Sequence, residues 1–169
     1  MTKGEIITSV INRFDRPICV LEIGRIRATD AAHERGDGWS TLRFACHSLV
    51  DVLYSVDNDP ETLKACATFH ELQGSNVVYA SSVKELGDIE PIDLLYLDAE
   101  EDAEATVVHF LSMQHGLADD AIVLMDDVYD GEKGDLIIPM LVDDGWSIEE
   151  IGPMAVACRR GGDRDADSV

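Results

Sequence analysis

The side chains best suited to chemistry in this 169-residue chain recur at one kind of place. Glu22 closes the apolar run Ile18-Cys19-Val20-Leu21, and Asp57 follows Val52-Leu53-Tyr54-Ser55-Val56. Ser81 and Ser82 follow Asn76-Val77-Val78-Tyr79, Asp98 follows Leu94-Leu95-Tyr96-Leu97, and Asp126-Asp127 follow Ile122-Val123-Leu124-Met125. Short apolar runs bounded by polar residues read as strands covered on both faces, so these groups are expected at strand tips. In open α/β sheets ligands bind beyond the carboxyl ends of the strands, where the strand order reverses. A carboxylate at the second tip, Asp57, can accept both hydroxyls of a ribose, a charge-assisted contact worth about 1.5–3 kcal/mol. Asp98, Asp126 and Asp127 pose a different problem. Neighbouring strand tips lie about 5 Å apart, and carboxylates that close repel until one retains its proton. A hard divalent cation with oxygen ligands, Mg²⁺ or Ca²⁺, is the other way to resolve that conflict.

The elements that must position these groups can be read in order. Thr2 and Glu5 have capping-box spacing, and Ile7, Val10, Ile11 and Phe14 follow on one helical face. Residues 17–23 form the first strand, and Ser40 is expected to cap a helix burying Leu42, Ala45, Cys46 and Leu49. Residues 52–57 are the second strand. Asp59-Pro60-Glu61 starts a helix, with Gly74 as its expected end. A strand at 76–79, a turn of helix at 83–86 and a strand at 92–98 come next. A helix over 102–115 should bury Val107, Phe110 and Leu111. After a strand at 120–126, a helix at 134–142 carries the stripe Leu136, Ile137, Met140 and Leu141. Strands at 146–151 and 154–159 around Gly152-Pro153 read as a closing hairpin. Alternating strands and helices demand an α/β fold with a mostly parallel sheet and right-handed crossovers. Residues 1–160 read as a single domain, and 161–169 as a disordered polar tail.

Composition narrows the partners. With 34 acids against 13 bases the formal net charge is -21, which repels phosphate backbones and argues against nucleic acid. That balance suits salt-rich solution, where screening tolerates self-repulsion. No run approaches the roughly 18 apolar residues of a membrane span, and no leader pattern is seen, so a cytoplasmic protein is expected. Cys19, Cys46, Cys66 and Cys158 read as buried structural thiols. His33 is read as a surface residue, and the remaining histidines as structural or exposed. The segment from Asp126 to Asp135 has Val128 and Ile137 where a calcium loop needs oxygen ligands, so it is not an EF-hand.

The first turn separates cofactor classes. A dinucleotide needs G-x-G-x-x-G directly after the first strand. Here Gly24 is followed by Arg25-Ile26-Arg27-Ala28-Thr29-Asp30, with no glycine until Gly36, which counts against NAD and FAD. Leu21-Glu22-Ile23-Gly24, Gly38-Trp39-Ser40-Thr41 and Ser55-Val56-Asp57-Asn58-Asp59-Pro60 together resemble the class I S-adenosylmethionine-dependent methyltransferases. Tyr96-Leu97-Asp98-Ala99-Glu100 and Val123-Leu124-Met125-Asp126-Asp127-Val128 are similar to that group's fourth- and fifth-strand motifs.

The resemblance implies a Rossmann-like, doubly wound, mostly parallel seven-stranded sheet of order 3-2-1-4-5-7-6, with helices on both faces. It implies S-adenosyl-L-methionine as cofactor. Glu22 and Gly24 would line its methionine part, with Gly38, Trp39 and Ser40 closing over it. Asp57 would hold the ribose, Asn58, Ser81 and Ser82 the adenine, and Asp98 the amino group or reaction centre. The chain also resembles the metal-dependent catechol-type O-methyltransferases, in which Asp98, Asp126 and Asp127 would hold Mg²⁺ or Ca²⁺ and Asp98 and Asp126 would serve catalysis. Those enzymes carry a lysine three residues after the fourth-strand acid, where this chain has Glu101. The residues from Arg25 to Arg35 replace the family's usual tight turn. The expected function is methyl transfer to a small-molecule acceptor, with oxygen favoured. A second subunit, as in a homodimer, or the Arg25–Arg35 loop would complete the acceptor site. The competing expectation is a degenerate methyltransferase fold that binds the nucleoside or a protein partner without catalysis.

Overall fold

A computed structural model describes residues 1–27, 39–73, 75–98, 103–129 and 133–159. Its seven strands are β1 (Ile18–Ile23), β2 (Val50–Val56), β3 (Val77–Ala80), β4 (Ile92–Leu97), β5 (Leu117–Met125), β6 (Trp146–Ile151) and β7 (Met154–Arg159). They form one sheet in the order β3-β2-β1-β4-β5-β7-β6. The first five strands are parallel, and β7 runs antiparallel to both β5 and β6. This is the expected seven-stranded order.

Successive residues of a strand point to opposite faces, and the two faces build two cores. Leu21, Ile23, Leu95, Leu97, Val123 and Met125 face one side. There they meet Phe110 of α4 (Ala103–Met113) and Ile137 and Leu141 of α5 (Gly134–Asp143). Val20, Leu94, Tyr96, Ile122 and Leu124 face the other side. They pack on Ile6, Ile7, Val10 and Ile11 of α1 (Lys3–Ile11) and Phe44 of α2 (Ser40–Ala45). Every residue of β1 and β4 is buried, as strands covered on both faces require. The Thr2–Glu5 capping box forms with both of its hydrogen bonds, which fixes where α1 starts. Asp59 caps α3 (Pro60–Ala67), accepting from the Glu61 amide at 2.9 Å.

Several local expectations are corrected. Ser40 does not cap α2: Trp39 takes that position in a left-handed conformation, φ 48°, and the Ser40 hydroxyl turns inward to Glu22. The buried face of α2 is accordingly Ser40, Thr41 and Phe44, and Cys46 is exposed. Helix α3 ends at Ala67, short of Gly74, which lies outside the described residues. Leu111 and Leu136 are exposed because the sheet has already filled the opposite faces of α4 and α5 with Phe110, Ile137 and Leu141. Residues 161–169 also lie outside the described residues. Among the described residues no helix is long and apolar enough to cross a membrane.

Candidate active site at the strand tips

The tip of β1 is a buried polar network. Glu22 pairs in register with Ser55 of β2 and Tyr96 of β4. One carboxylate oxygen of Glu22 accepts from Ser40, and the other from Thr41 and Ser55 at 2.8 and 2.7 Å. Burial pushes this carboxyl up to about 7, and the three hydroxyl donors and Arg25 offset only part of that. The Arg25 guanidinium is also buried. It donates to the Ser55 hydroxyl, the Thr62 hydroxyl and the carbonyls of Ser55 and Ala80, and lies 5.0 Å from the Tyr79 ring centroid. One side chain thus ties the ends of β2 and β3 to the turn after β1. Gly24 takes φ 95°, a conformation that glycine adopts without a Cβ penalty.

Beyond these tips opens a cavity of about 550 Å³, lined by Ile23, Val56, Asp57, Asn58, Ser81, Ser82, Val83, Lys84, His109 and Ser112. Asp57 accepts the Arg25 amide on one oxygen, at 3.1 Å, and the Asp59 amide on the other, at 2.8 Å. Two backbone donors therefore fix the plane of the carboxylate and leave each oxygen further acceptor capacity. Ser81 donates its hydroxyl to Glu85 at 2.6 Å and its amide to the same carboxylate at 2.8 Å, and these bonds lower the Glu85 carboxyl. Trp39 packs edge-on against Phe69, 5.0 Å between ring centroids, and its buried Nε1 has no partner among the described residues. Gly38, Glu101 and His33 lie outside the described residues.

The third cluster sits at the tips of β4 and β5. Oxygens of Asp98, Asp126 and Asp127 lie within 4.8 Å of one another. The Asp98 amide donates to the Ile23 carbonyl at 2.8 Å and the Asp126 amide to the Leu97 carbonyl at 3.1 Å, so the ladder sets the spacing of these tips. The Tyr96 hydroxyl lies 3.1 Å from Asp126 and 3.3 Å from Asp98. Lys3 reaches across from α1 to within 2.9 Å of both Asp126 and Asp127, and Lys133 lies 3.4 Å from Asp98. Burial, then the charge of Asp98, pushes Asp126 up to about 7. Burial also raises Asp98, against the pull of Lys133 and Lys3. Burial alone would lower the Lys3 ammonium, but Asp126 and Asp127 outweigh it and raise it.

A family model described as a methyltransferase domain matches residues 34–128, more than half of the chain. The chain belongs to the class I S-adenosylmethionine-dependent methyltransferases. No curated protein matches this methyltransferase. Solved structures share its fold. The O-methyltransferase from Bacillus cereus, crystallised with S-adenosylhomocysteine, is 14% identical with TM-score 0.68, over 94% of this chain and 80% of that one. TomG from Streptomyces achromogenes, an O-methyltransferase of tomaymycin synthesis crystallised with S-adenosylmethionine, gives the same four values: 14%, 0.68, 94% and 80%. The N-methyltransferase NodS from Bradyrhizobium japonicum is 14% identical with TM-score 0.60, over 94% of this chain and 95% of that one. At such identities the likeness speaks for the fold alone.

Some of the methyltransferase's pocket lay outside the sequence reading. His109 and Ser112 line the cavity from α4, one helical turn apart. Their i, i+3 spacing on the helix that follows β4 was the available signal. Lys84 also lines it, from the short turn after β3. The Lys3 and Lys133 contacts had no local signal at all, because they span 124 and 35 residues.

Proposed function

We propose that this methyltransferase acts on a small-molecule acceptor, with oxygen as the favoured atom, and seats S-adenosylmethionine in the cavity beside Asp57. The observation that carries the reading is Asp57 itself, a carboxylate fixed by two backbone amides at the mouth of a cavity of about 550 Å³. That volume lies within the roughly 300–1,000 Å³ range of small-molecule sites. The ribose belongs on Asp57, the adenine by Asn58, Ser81 and Ser82, and the methionine part by Gly24 and Asp98. Trp39 belongs to the same cofactor wall. Glu22 acts at one remove, as a positioning residue, because Ser40, Thr41 and Ser55 occupy its oxygens.

S-adenosylmethionine, when bound, supplies an electrophilic sulfonium methyl. The protein's share is then orientation and exclusion of water, the main source of rate in such transfers. Asp98, with 21% of its side chain exposed, is open to an acceptor, whereas Asp126 is fully buried and Asp127, 47% exposed, has both oxygens on Lys3. Asp98 therefore takes the acceptor's proton, and Asp126 stands behind it holding Lys3 and Tyr96.

Calorimetric titration with S-adenosylmethionine and S-adenosylhomocysteine, with NAD as control, tests the cofactor. Asp57→Ala should weaken both by about 10- to 100-fold. Asp57→Asn, which keeps an acceptor for the turn amides, should fall between. Equal binding by wild type and Asp57→Ala would remove the ribose role, and no binding of either nucleoside by the wild type would remove the cofactor reading.

A further inference from the structure

The Asp98, Asp126 and Asp127 oxygens have the composition and spacing of a divalent-cation site, yet they already hold two cations of the chain's own. Lys3 Nζ is 2.9 Å from Asp126 Oδ2, 2.9 Å from Asp127 Oδ1 and 3.0 Å from Asp127 Oδ2. An ion bridging Asp126 and Asp127 would bind those same oxygens at about 2.0–2.6 Å, which brings it into the space of that ammonium. Lys133 Nζ is 3.4 Å from Asp98 Oδ1 with 5% of its side chain exposed, so it too is enclosed with the acid it meets. Two ammoniums and one divalent ion carry the same charge. Either offsets two carboxylate charges at the cluster.

The placement of Lys3 strengthens the point. It is the first residue of α1, where the positive end of the helix dipole disfavours a cation. A lysine there is unfavourable unless something compensates, and Asp126 and Asp127 are the groups it reaches. It is also drawn out of solvent, with 15% of its side chain exposed. A lysine that served only to dress the surface of α1 would not cross to the tip of β5.

We propose that the Lys3 and Lys133 ammoniums take the place of a divalent cation at the Asp98–Asp126–Asp127 tips, so that methyl transfer by this chain is independent of metal. The activity half of this statement rests on the methyltransferase reading above; the occupancy of the acid cluster does not. Lys133 thereby brings, from 35 residues further along the chain, a positive charge to the β4 acid. Both lysines are positioning residues: they hold Asp98 and Asp126 in place by charge from inside the fold.

Mn²⁺ reports occupancy directly, because binding broadens away the electron paramagnetic resonance signal of the free ion. Full-length wild type should leave that signal unchanged at concentrations where Lys3→Met/Lys133→Met depletes it. Affinity should rise by about tenfold for each ammonium removed. Asp126→Asn added to the double variant should abolish the gain. If the double variant does not fold by circular dichroism, Lys3→Gln carries the same test at the partly exposed member of the pair. Uptake of Mn²⁺ by the wild type, lost in Asp126→Asn, would overturn the proposal. So would a folded double variant that takes up none. S-adenosylhomocysteine titration of the same samples, in EDTA and in Mn²⁺, separates this result from the cofactor reading. Loss of nucleoside binding with unchanged Mn²⁺ behaviour strikes only the latter.

Discussion

Glutamine at position 22 keeps the length and one oxygen of the native side chain and removes its charge. Glu22 is fully buried, and burial raises its carboxyl to about 7 from an ordinary 4.5, against the pull of Ser40, Ser55, Thr41 and Arg25. The folded chain therefore keeps a proton that the unfolded chain gives up. For an acid raised in this way, stability is highest below the unfolded value and falls as pH rises toward the folded one. At about 1.4 kcal/mol per tenfold change in proton affinity, ionising Glu22 removes about 2–3 kcal/mol between about pH 5 and about pH 8. Glutamine has no such proton, and the hydroxyls of Ser40, Thr41 and Ser55 can rotate to suit an amide. Urea unfolding of wild type and Glu22→Gln at both pH values gives the comparison, run in about 1 M salt to screen the chain's general self-repulsion. Wild type should lose about 2–3 kcal/mol relative to the variant on going to the higher pH. A constant difference would refute the reasoning. A constant difference is also what a Glu22 ionised across this whole range and held by Arg25 would give.

Two further substitutions test how the tips are tied together. Arg25→Met removes the guanidinium that donates to the Ser55 and Ala80 carbonyls and to the Ser55 and Thr62 hydroxyls, and should cost about 3 kcal/mol in chemical denaturation through the loss of these buried charge-assisted bonds. Gly134→Ala would place a Cβ 2.4 Å from the Val128 carbonyl oxygen, and should lower stability by about 1–3 kcal/mol in the same assay.

The parts of the fold written in local patterns were readable from the sequence. The Thr2–Glu5 box, the Asp59-Pro60 start and the apolar runs of β1 and β4 each act over a few residues, and each forms where the pattern indicates. The polar ends of those runs located the strand tips for the same reason. Ser40 shows where this reasoning stops. A serine before an apolar helix is a good cap by its own propensity, but a buried carboxylate across the sheet competes for its hydroxyl and wins. Leu111 and Leu136 stayed exposed because a helix face is buried only as far as the sheet beneath has room. Lys3 and Lys133 were beyond reach in principle: a local pattern says nothing about an acid at another strand tip, 124 residues later for Lys3 and 35 residues earlier for Lys133. The acids were legible, and their counter-ions were not.

The sheet order has a consequence for how the cavity holds together in time. Its walls come from strands of unequal depth: Ile23 belongs to β1, with a neighbour on each side, whereas Ser81 and Ser82 follow β3, a four-residue edge strand paired only with β2. Val78 in that edge strand is 44% exposed. Strands with few buried contacts open at lower free energy than the centre of a sheet, so β3 and the turn after it exchange their amides ahead of β1. A ligand bound only when that unit is closed stabilises it by mass action. Occupancy of the pocket thus lengthens the lifetime of the edge strand.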